Sequence, residues 1–130
     1  MKKSPIDNLF NELYGYYPKK AGTAYELLVA GALKIITGEN IKYDQHLKGN
    51  YSETDYQLDG LNVNQNQMIE AKDYSISNSK VGRDDIQKLQ GALSDLNVDK
   101  GLFASATDYT KPAKKYSDGT IKNPIQNHLT

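Results

Sequence analysis

Two stretches of the chain repeat their apolar residues at helical spacing. From Thr23 to Thr37 the apolar positions recur every three or four residues, and Gly38 supplies a stop. A second stretch starts at Asp84 or Asp85, either of which can cap a helix, and ends near Asn97. Both segments are therefore predicted to be helices with one face directed at a core.

Extended segments lie between and after these helices. Residues 41–47 suggest a strand, and residues 54–63 and 68–74 predict a hairpin because the polar residues 64–67 between them suit a turn. Residues 101–106 suggest a buried strand, and residues 111–116 a short helix with Pro112 in its first turn. A strand, helix and strand of these lengths favour a parallel pair beside the antiparallel hairpin, so the order predicts an α/β sandwich with a mixed sheet.

The two ends of the chain have less regular patterns. Residues 1–21 are rich in tyrosine and polar groups, and we interpret them as a lead-in with at most a short helix over residues 8–13. Residues 22–117 then form the core, and the tail over residues 118–130 is ambiguous, with one added strand as an option. No internal repeat divides the chain, so a single domain over residues 1–130 is expected.

Composition limits the chemistry more than it identifies it. Sixteen basic and sixteen acidic residues balance, which argues against binding nucleic acid by overall charge alone. The chain has no cysteine, and its two histidines, His46 and His128, are far apart, so oxygen ligands must hold any metal. No apolar run approaches the roughly 20 residues that cross a bilayer, so we expect a cytoplasmic protein with no membrane partner.

Acidic and basic side chains meet on the predicted hairpin. Side chains of a strand alternate between faces, so Glu70 and Lys72 share one face. If the hairpin closes with Val63 opposite Met68, Asp59 lies opposite Lys72 and joins that face. A one-residue bulge would reverse the direction of Asp59, and the sequence leaves that alternative open.

Close carboxylates repel one another unless a cation lies between them. Asp59 and Glu70 could hold one divalent ion, and magnesium or manganese suits oxygen ligands. Lys72 could then position or activate an attacking water, or neutralise a phosphate. Asp55 has the same parity but lies roughly 13 Å further along the strand, which makes it a weaker candidate. The alternative is a surface hairpin with a weakly stabilising Asp59–Lys72 ion pair.

The succession of these motifs resembles a known family. Asp59 is followed after ten residues by Glu70-Ala71-Lys72, and then by a helix containing Gln90-Gly91-Ala92-Leu93 and a small-residue strand over residues 101–106. Over roughly residues 22–117 this order resembles the PD-(D/E)xK nuclease superfamily, in its Mrr-type restriction-endonuclease branch. The resemblance implies a restriction-endonuclease-like three-layer sandwich whose central mixed sheet is flanked by helices.

The resemblance also implies roles for individual residues. Asp59 and Glu70 would bind Mg²⁺, with Mn²⁺ as a substitute, and the backbone carbonyl of Ala71 would add a ligand. Lys72 would assist the nucleophilic water, and Glu26 of the first helix would contribute from the margin of its apolar stripe. The residue before Asp59 is leucine where the motif name has proline, a frequent departure.

Two of the candidates have plain structural alternatives. A glutamate at a helix margin, such as Glu26, is often merely solvated. Gln90 lies near the apolar face of its helix and could bond to the active-site strand or to a phosphate, but a glutamine at the margin of the core is the other interpretation.

The implied activity is metal-dependent hydrolysis of phosphodiester bonds in DNA. Restriction or defence, DNA repair and an antibacterial toxin domain all fit, and a toxin would need an immunity protein. Cutting both strands would favour a homodimer. The alternative from another class is a non-catalytic module that binds nucleic acid or protein and keeps only the fold.

Overall fold

The computed structural model describes residues 2–119 and the backbone of residues 125–129. Its elements, in chain order, are α1 (Pro5–Tyr14), α2 (Thr23–Thr37), β1 (Ile41–Lys48), β2 (Asp55–Asn62), β3 (Gln67–Lys72), α3 (Arg83–Leu96), β4 (Lys100–Ser105), α4 (Lys111–Asp118) and β5 (Ile125–Leu129). Within these described ranges, no helix is both long and apolar enough to cross a membrane.

The five strands form one mixed sheet in the order β1-β2-β3-β4-β5. Strand β2 runs antiparallel to both of its neighbours, β1 and β3, whereas β3, β4 and β5 are parallel. Helix α3 makes the crossover from β3 to β4. Helix α2 packs on one face of the sheet, while α3 packs on the other beside α4. The predicted α/β three-layer sandwich around a mixed sheet is thus confirmed.

The core consists of two apolar clusters, one on each face of the sheet. Met68 and Phe103 belong to the α3-side cluster, and Ile69 and Leu102 belong to the α2-side cluster. Neighbouring residues of β3 and of β4 therefore face opposite layers, as the two-residue period of a strand requires. Each such side chain contributes about 1.5–3 kcal/mol by burial, so the sheet that carries the candidate site is held from both sides.

The helix ends show where local sequence decides the structure. Helix α2 has the predicted bounds and ends at Gly38, whose φ of 67° suits glycine. Helix α3 begins two or three residues earlier than predicted, because Gly82 is its N-cap and the Asp85 carboxylate accepts a hydrogen bond from the Gly82 N–H at 3.2 Å. The expectation that Asp84 or Asp85 is the cap was wrong, since Asp85 caps from inside the first turn. Thr110 caps α4, and its side chain accepts a hydrogen bond from the Ala113 N–H.

The lead-in segment is more structured than the sequence suggested. Helix α1 covers ten residues instead of 8–13, and Phe10, only 3% exposed, anchors it. Ser4 caps the helix, and its Oγ donates a hydrogen bond to Oδ2 of Asp73 at 2.6 Å. The segment is thereby attached to the residue that follows β3.

The tail contains the added strand that the sequence left as an option, since β5 pairs in parallel with β4. The rest of that expectation, over residues 120–124 and 130, lies outside the described residues.

The hairpin of β2 and β3 closes in a different register from the predicted one. Leu61, not Val63, lies opposite Met68. The turn begins one residue earlier, because the Asn62 side chain accepts a hydrogen bond from the Gln65 N–H at 3.2 Å and Asn66 takes a left-handed φ of 48°. The pairing is shifted by two positions along β2, an even number, so the paired residues Gly60 to Asn62 keep the faces that the predicted register gave them.

Candidate active site

Asp59 lies at an irregularity between β1 and β2. The register of these strands passes over Asp44 and Asp59, which lie opposite each other between regular pairs. Asp44 has a φ of 52°, a left-handed conformation that aspartate tolerates better than most residues. Oδ2 of Asp59 accepts a hydrogen bond from the Ala71 N–H at 2.8 Å, so this carboxylate is attached to β3.

The alternation of faces along β2 also changes at this point. Leu58 belongs to the α3-side cluster, but two residues later Gly60 lies against Ile69 of the α2-side cluster. Leu61 packs against the α3-side cluster again. In a regular strand Leu58 and Gly60 would share a face. The irregularity therefore falls at Asp59, and its carboxylate reaches across to β3 instead of following one face.

The structure brings Asp59, Glu70 and Lys72 together. Oε1 of Glu70 is 3.3 Å from Nζ of Lys72. Burial raises the pKa of Glu70 to about 8, helped by the charge of Asp59 and opposed by Lys72. Burial alone would lower the pKa of Lys72, but the charges of Glu70 and Asp59 outweigh it and raise that pKa. The cluster holds more negative charge than its lysine offsets.

Glu26 reaches this cluster from the first turn of α2. Burial raises its pKa to about 7, and the charge of Asp59 adds to the shift. Burial, followed by the charges of Glu26 and Asp44, raises the pKa of Tyr43, on the neighbouring strand β1, to about 12. Sequence reasoning missed Tyr43 and Asp44, because nothing in the motif spacing indicates a residue on the neighbouring strand.

Two further candidates lie away from the cluster. Asp55 is exposed at the start of β2, opposite Lys48 of β1. Gln90 lines a surface depression together with Ser94 and Tyr116. The structure brings neither of them to Glu70.

A groove with a volume of about 600 Å³ opens on the α3 face of the sheet. We call it the active-site groove and define it by Tyr51, Tyr56, Met68, Glu70, Lys72, Tyr74, Lys88 and Phe103, which are among its lining residues. Of the predicted site residues, Glu70 and Lys72 line it, whereas Asp59 and Glu26 lie outside its lining. The groove with Lys72 thus lies on one side of Glu70, and Asp59 with Glu26 lies on another.

The carboxylate oxygens of Asp59 and Glu70 suit a hard divalent cation. Mg²⁺ is commonly held by one or two carboxylates, with waters and substrate phosphate completing its shell. Asp59 and Glu70 supply such a pair, and the raised pKa of Glu70 indicates negative charge that a cation would offset. No group of three or more His, Cys, Asp or Glu side chains suited to a metal occurs in the part of the chain that the structure describes. Two carboxylates are therefore the donor set to consider.

Two solved structures share the fold. The protein described as "Protein of Unknown Function AF1548" matches with a TM-score of 0.66 and 17% identity, covering 83% of this chain and 57% of that one. The DNA modification-dependent restriction endonuclease AspBHI matches with a TM-score of 0.56 and 15% identity, covering 99% of this chain and 34% of that one. The chain thus spans about half and about a third of the lengths of these proteins.

The search of curated proteins gave no match. The family model Mrr_cat, described as "Restriction endonuclease", matches residues 22–126. The matched range covers most of the chain and includes Asp59, Glu70 and Lys72. The family match, together with a fold that a restriction endonuclease shares, supports a nuclease-type function. The chain belongs to the Mrr-type restriction-endonuclease family.

Proposed function

We propose that the protein is a metal-dependent DNA endonuclease whose active site is formed by Asp59, Glu70 and Lys72. The observation that carries the proposal is the meeting of three charged side chains on β2 and β3. The Ala71 N–H holds the Asp59 carboxylate at 2.8 Å, and the Lys72 ammonium lies 3.3 Å from Glu70. A weak surface ion pair, the alternative from the sequence, would leave Glu70 solvated, but only 18% of its side chain is exposed.

Each residue then has a chemical task. Asp59 and Glu70 would hold Mg²⁺, or Mn²⁺ in its place, with the Ala71 carbonyl as a further oxygen ligand. When bound, the ion would polarise the phosphodiester and lower the pKa of water. The hydrogen bond from the Ala71 N–H holds the Asp59 carboxylate in place before any ion arrives. Preorganisation of this kind lowers the cost of forming the site.

Lys72 acts as a cation in this scheme. Because its pKa is raised, the ammonium stays protonated and cannot serve as a general base near neutral pH. It can donate hydrogen bonds that orient the attacking water and offset the charge that builds on the phosphate oxygens. Hydrolysis adds the water oxygen to phosphorus and breaks the bond to the departing sugar oxygen. Glu26 is a positioning residue that acts through Asp59.

The test uses supercoiled plasmid with titrated Mg²⁺ or Mn²⁺ and an EDTA control. Asp59→Asn, Glu70→Gln and Lys72→Met should each lower cleavage by about 100-fold or more, since each removes charge at the reacting centre. Asp55→Asn is the matched control, because this carboxylate lies on β2 but away from the cluster, and it should cut normally. Circular dichroism checks that all variants fold. Normal cleavage by all three site variants would refute the assignment and favour a non-catalytic binding module.

The biological setting is part of the same proposal. The family description favours restriction or defence, acting on DNA, over a delivered toxin. A cytoplasmic location is proposed with that role. A restriction enzyme should harm an expressing host only when the DNA lacks protective modification, whereas a toxin should kill unless an immunity protein is co-expressed. Sedimentation with and without a DNA duplex will show whether the protein acts as a homodimer.

A further inference from the structure

The strand that carries Glu70 and Lys72 is supported unequally along its length. Regular pairing of β2 with β3 covers Gln67 to Ile69, whereas pairing with β4 continues to Lys72. The end of β3 that carries the site thus projects beyond its regular ladder with β2, and there the Ala71 N–H bonds to the Asp59 side chain instead. A strand end with fewer ladder hydrogen bonds frays more readily, so the position of Lys72 depends on what holds its neighbours.

Asp73, the residue that follows β3, is fixed by hydrogen bonds to both of its carboxylate oxygens. Oδ2 accepts a hydrogen bond from the Ser4 hydroxyl at 2.6 Å, and Oδ1 accepts one from the Ser75 N–H at 3.1 Å. Ser4 is only 1% exposed, so the bond is shielded from competing water at the serine end. A short hydrogen bond from a hydroxyl to a carboxylate is among the stronger ones in proteins.

Ser4 is itself held firmly at the start of α1. Its Oγ accepts a hydrogen bond from the Asp7 N–H at 3.0 Å, and its own N–H donates one to the Asp7 carboxylate at 2.9 Å. Helix α1 is anchored in turn, because Phe10 is 3% exposed and Ile6 packs against the α2-side cluster. Ser4 therefore offers Asp73 a fixed point on the rest of the protein.

The contact joins the site to a segment outside the matched family range. Ser4 and α1 precede residues 22–126, which the family model matches. On its other side, the backbone of Lys72 is held by β4, because its carbonyl accepts a hydrogen bond from the Ala106 N–H at 3.1 Å. The Lys72 side chain is 43% exposed, so packing around it does not fix it fully. The course of the backbone through Lys72 and Asp73 therefore sets where the ammonium can reach.

We propose that the hydrogen bond between Ser4 and Asp73 positions Lys72 for catalysis, so that α1 helps to set the cleavage rate although it contributes no reacting group. The inference rests on the proposed nuclease function and adds Ser4 and Asp73 to it as positioning residues. Loss of the bond frees the end of β3 and lets the Lys72 ammonium move away from Glu70. A displacement of about 1 Å at a reacting centre can cost about 100-fold in rate.

The activity test compares Ser4→Ala with Asp7→Ala on plasmid DNA at saturating Mg²⁺. Ser4→Ala removes the hydroxyl that reaches Asp73, whereas Asp7→Ala weakens the same helix cap and leaves that hydroxyl in place. Ser4→Ala should lower kcat by about 10- to 100-fold with KM unchanged, and Asp7→Ala should retain the wild-type kcat. Equal losses in the two variants, or a wild-type kcat in Ser4→Ala, would overturn the inference.

Asp73→Ala removes the bond from its other end and leaves the α1 cap intact, so it does not depend on the folding of α1. It should lower kcat as Ser4→Ala does. The double variant should lose no more than the larger single loss, because the two residues act through one bond. Full additivity of the two losses would contradict the proposed contact.

A measurement on Lys72 itself separates this inference from the proposed function. The NMR signal of its Cε methylene is followed in EDTA without DNA, and Lys72→Met identifies the signal by its loss. Ser4→Ala and Asp73→Ala should shift the signal, whereas Asp7→Ala should leave it as in the wild type. If no DNA is cut but this pattern is found, the nuclease assignment fails and the positioning contact stands. A signal that is the same in all of these variants defeats the positioning contact alone, whether or not DNA is cut.

Discussion

Replacing Glu26 by glutamine should stabilise the metal-free protein while impairing its activity. Burial and the charge of Asp59 raise the pKa of Glu26 from 4.5 to about 7, so its ionised form is disfavoured in the fold. Each tenfold change in acidity is worth about 1.36 kcal/mol, which gives about 3 kcal/mol before solvent screening is considered. Because Glu26 is only half-buried, we expect about 1–2 kcal/mol.

The sign of the effect fixes its pH dependence. Between pH 4.5 and 7 the folded protein binds more protons than the unfolded chain, so its stability falls as the pH rises through this window. Glu26→Gln removes that loss. Urea denaturation in EDTA should therefore show no gain for the variant at pH 4 and the full gain at pH 8.

Glu12→Gln, an exposed position on α1, is the control and should show no gain at either pH. With Mg²⁺ present, Glu26→Gln should cleave DNA about 10- to 100-fold more slowly, as expected for a residue that positions a ligand. A gain that is equal at pH 4 and pH 8, or no gain at all, would refute the reasoning about buried charge.

Two further predictions concern the supports of the site. Burial would raise the pKa of Asp95, but hydrogen bonds led by those from Ser52 and Tyr51 lower it to about 2. The stability that the ionised carboxylate contributes above pH 3.8 is therefore lost as the pH falls toward 2. Asp95→Asn should flatten this loss in acid denaturation, and parallel curves for the variant and the wild type would contradict the prediction. Ser4→Ala removes the α1 cap and the bond to Asp73, and should cost about 1–2 kcal/mol in urea denaturation, whereas a change below about 0.3 kcal/mol would show that α1 is not held this way.

The sequence predicts the elements well where local chemistry decides them. Helix α2 has its predicted bounds because its apolar period and the terminal Gly38 agree. The start of α3 was missed by two or three residues, because the N-cap is a glycine without a capping side chain and Asp85 accepts the Gly82 N–H from inside the first turn. The lead-in was underestimated because α1 packs against α2, a tertiary contact that the local pattern does not contain.

Tertiary contacts also explain what the sequence left out of the site. The hydrogen bonds from Tyr56 to Asp95 and from Tyr51 to Ser94 arise where β2 and the β1–β2 loop meet α3. These residues are distant in sequence and share no motif. The active-site groove therefore follows from the fold, not from any local pattern.

The position of Asp59 shows why a correct grouping can come from an incomplete derivation. Parity in an ideal hairpin placed Asp59 with Glu70, yet the alternation of β2 changes at Asp59, opposite the left-handed Asp44. A bulge at this position, the alternative that the sequence left open, would by itself have turned the Asp59 carboxylate away from Glu70 and Lys72. It stays with Glu70 because it accepts the hydrogen bond of the Ala71 N–H, a backbone group of β3. The contact that assembles the site is thus one that side-chain periodicity does not describe.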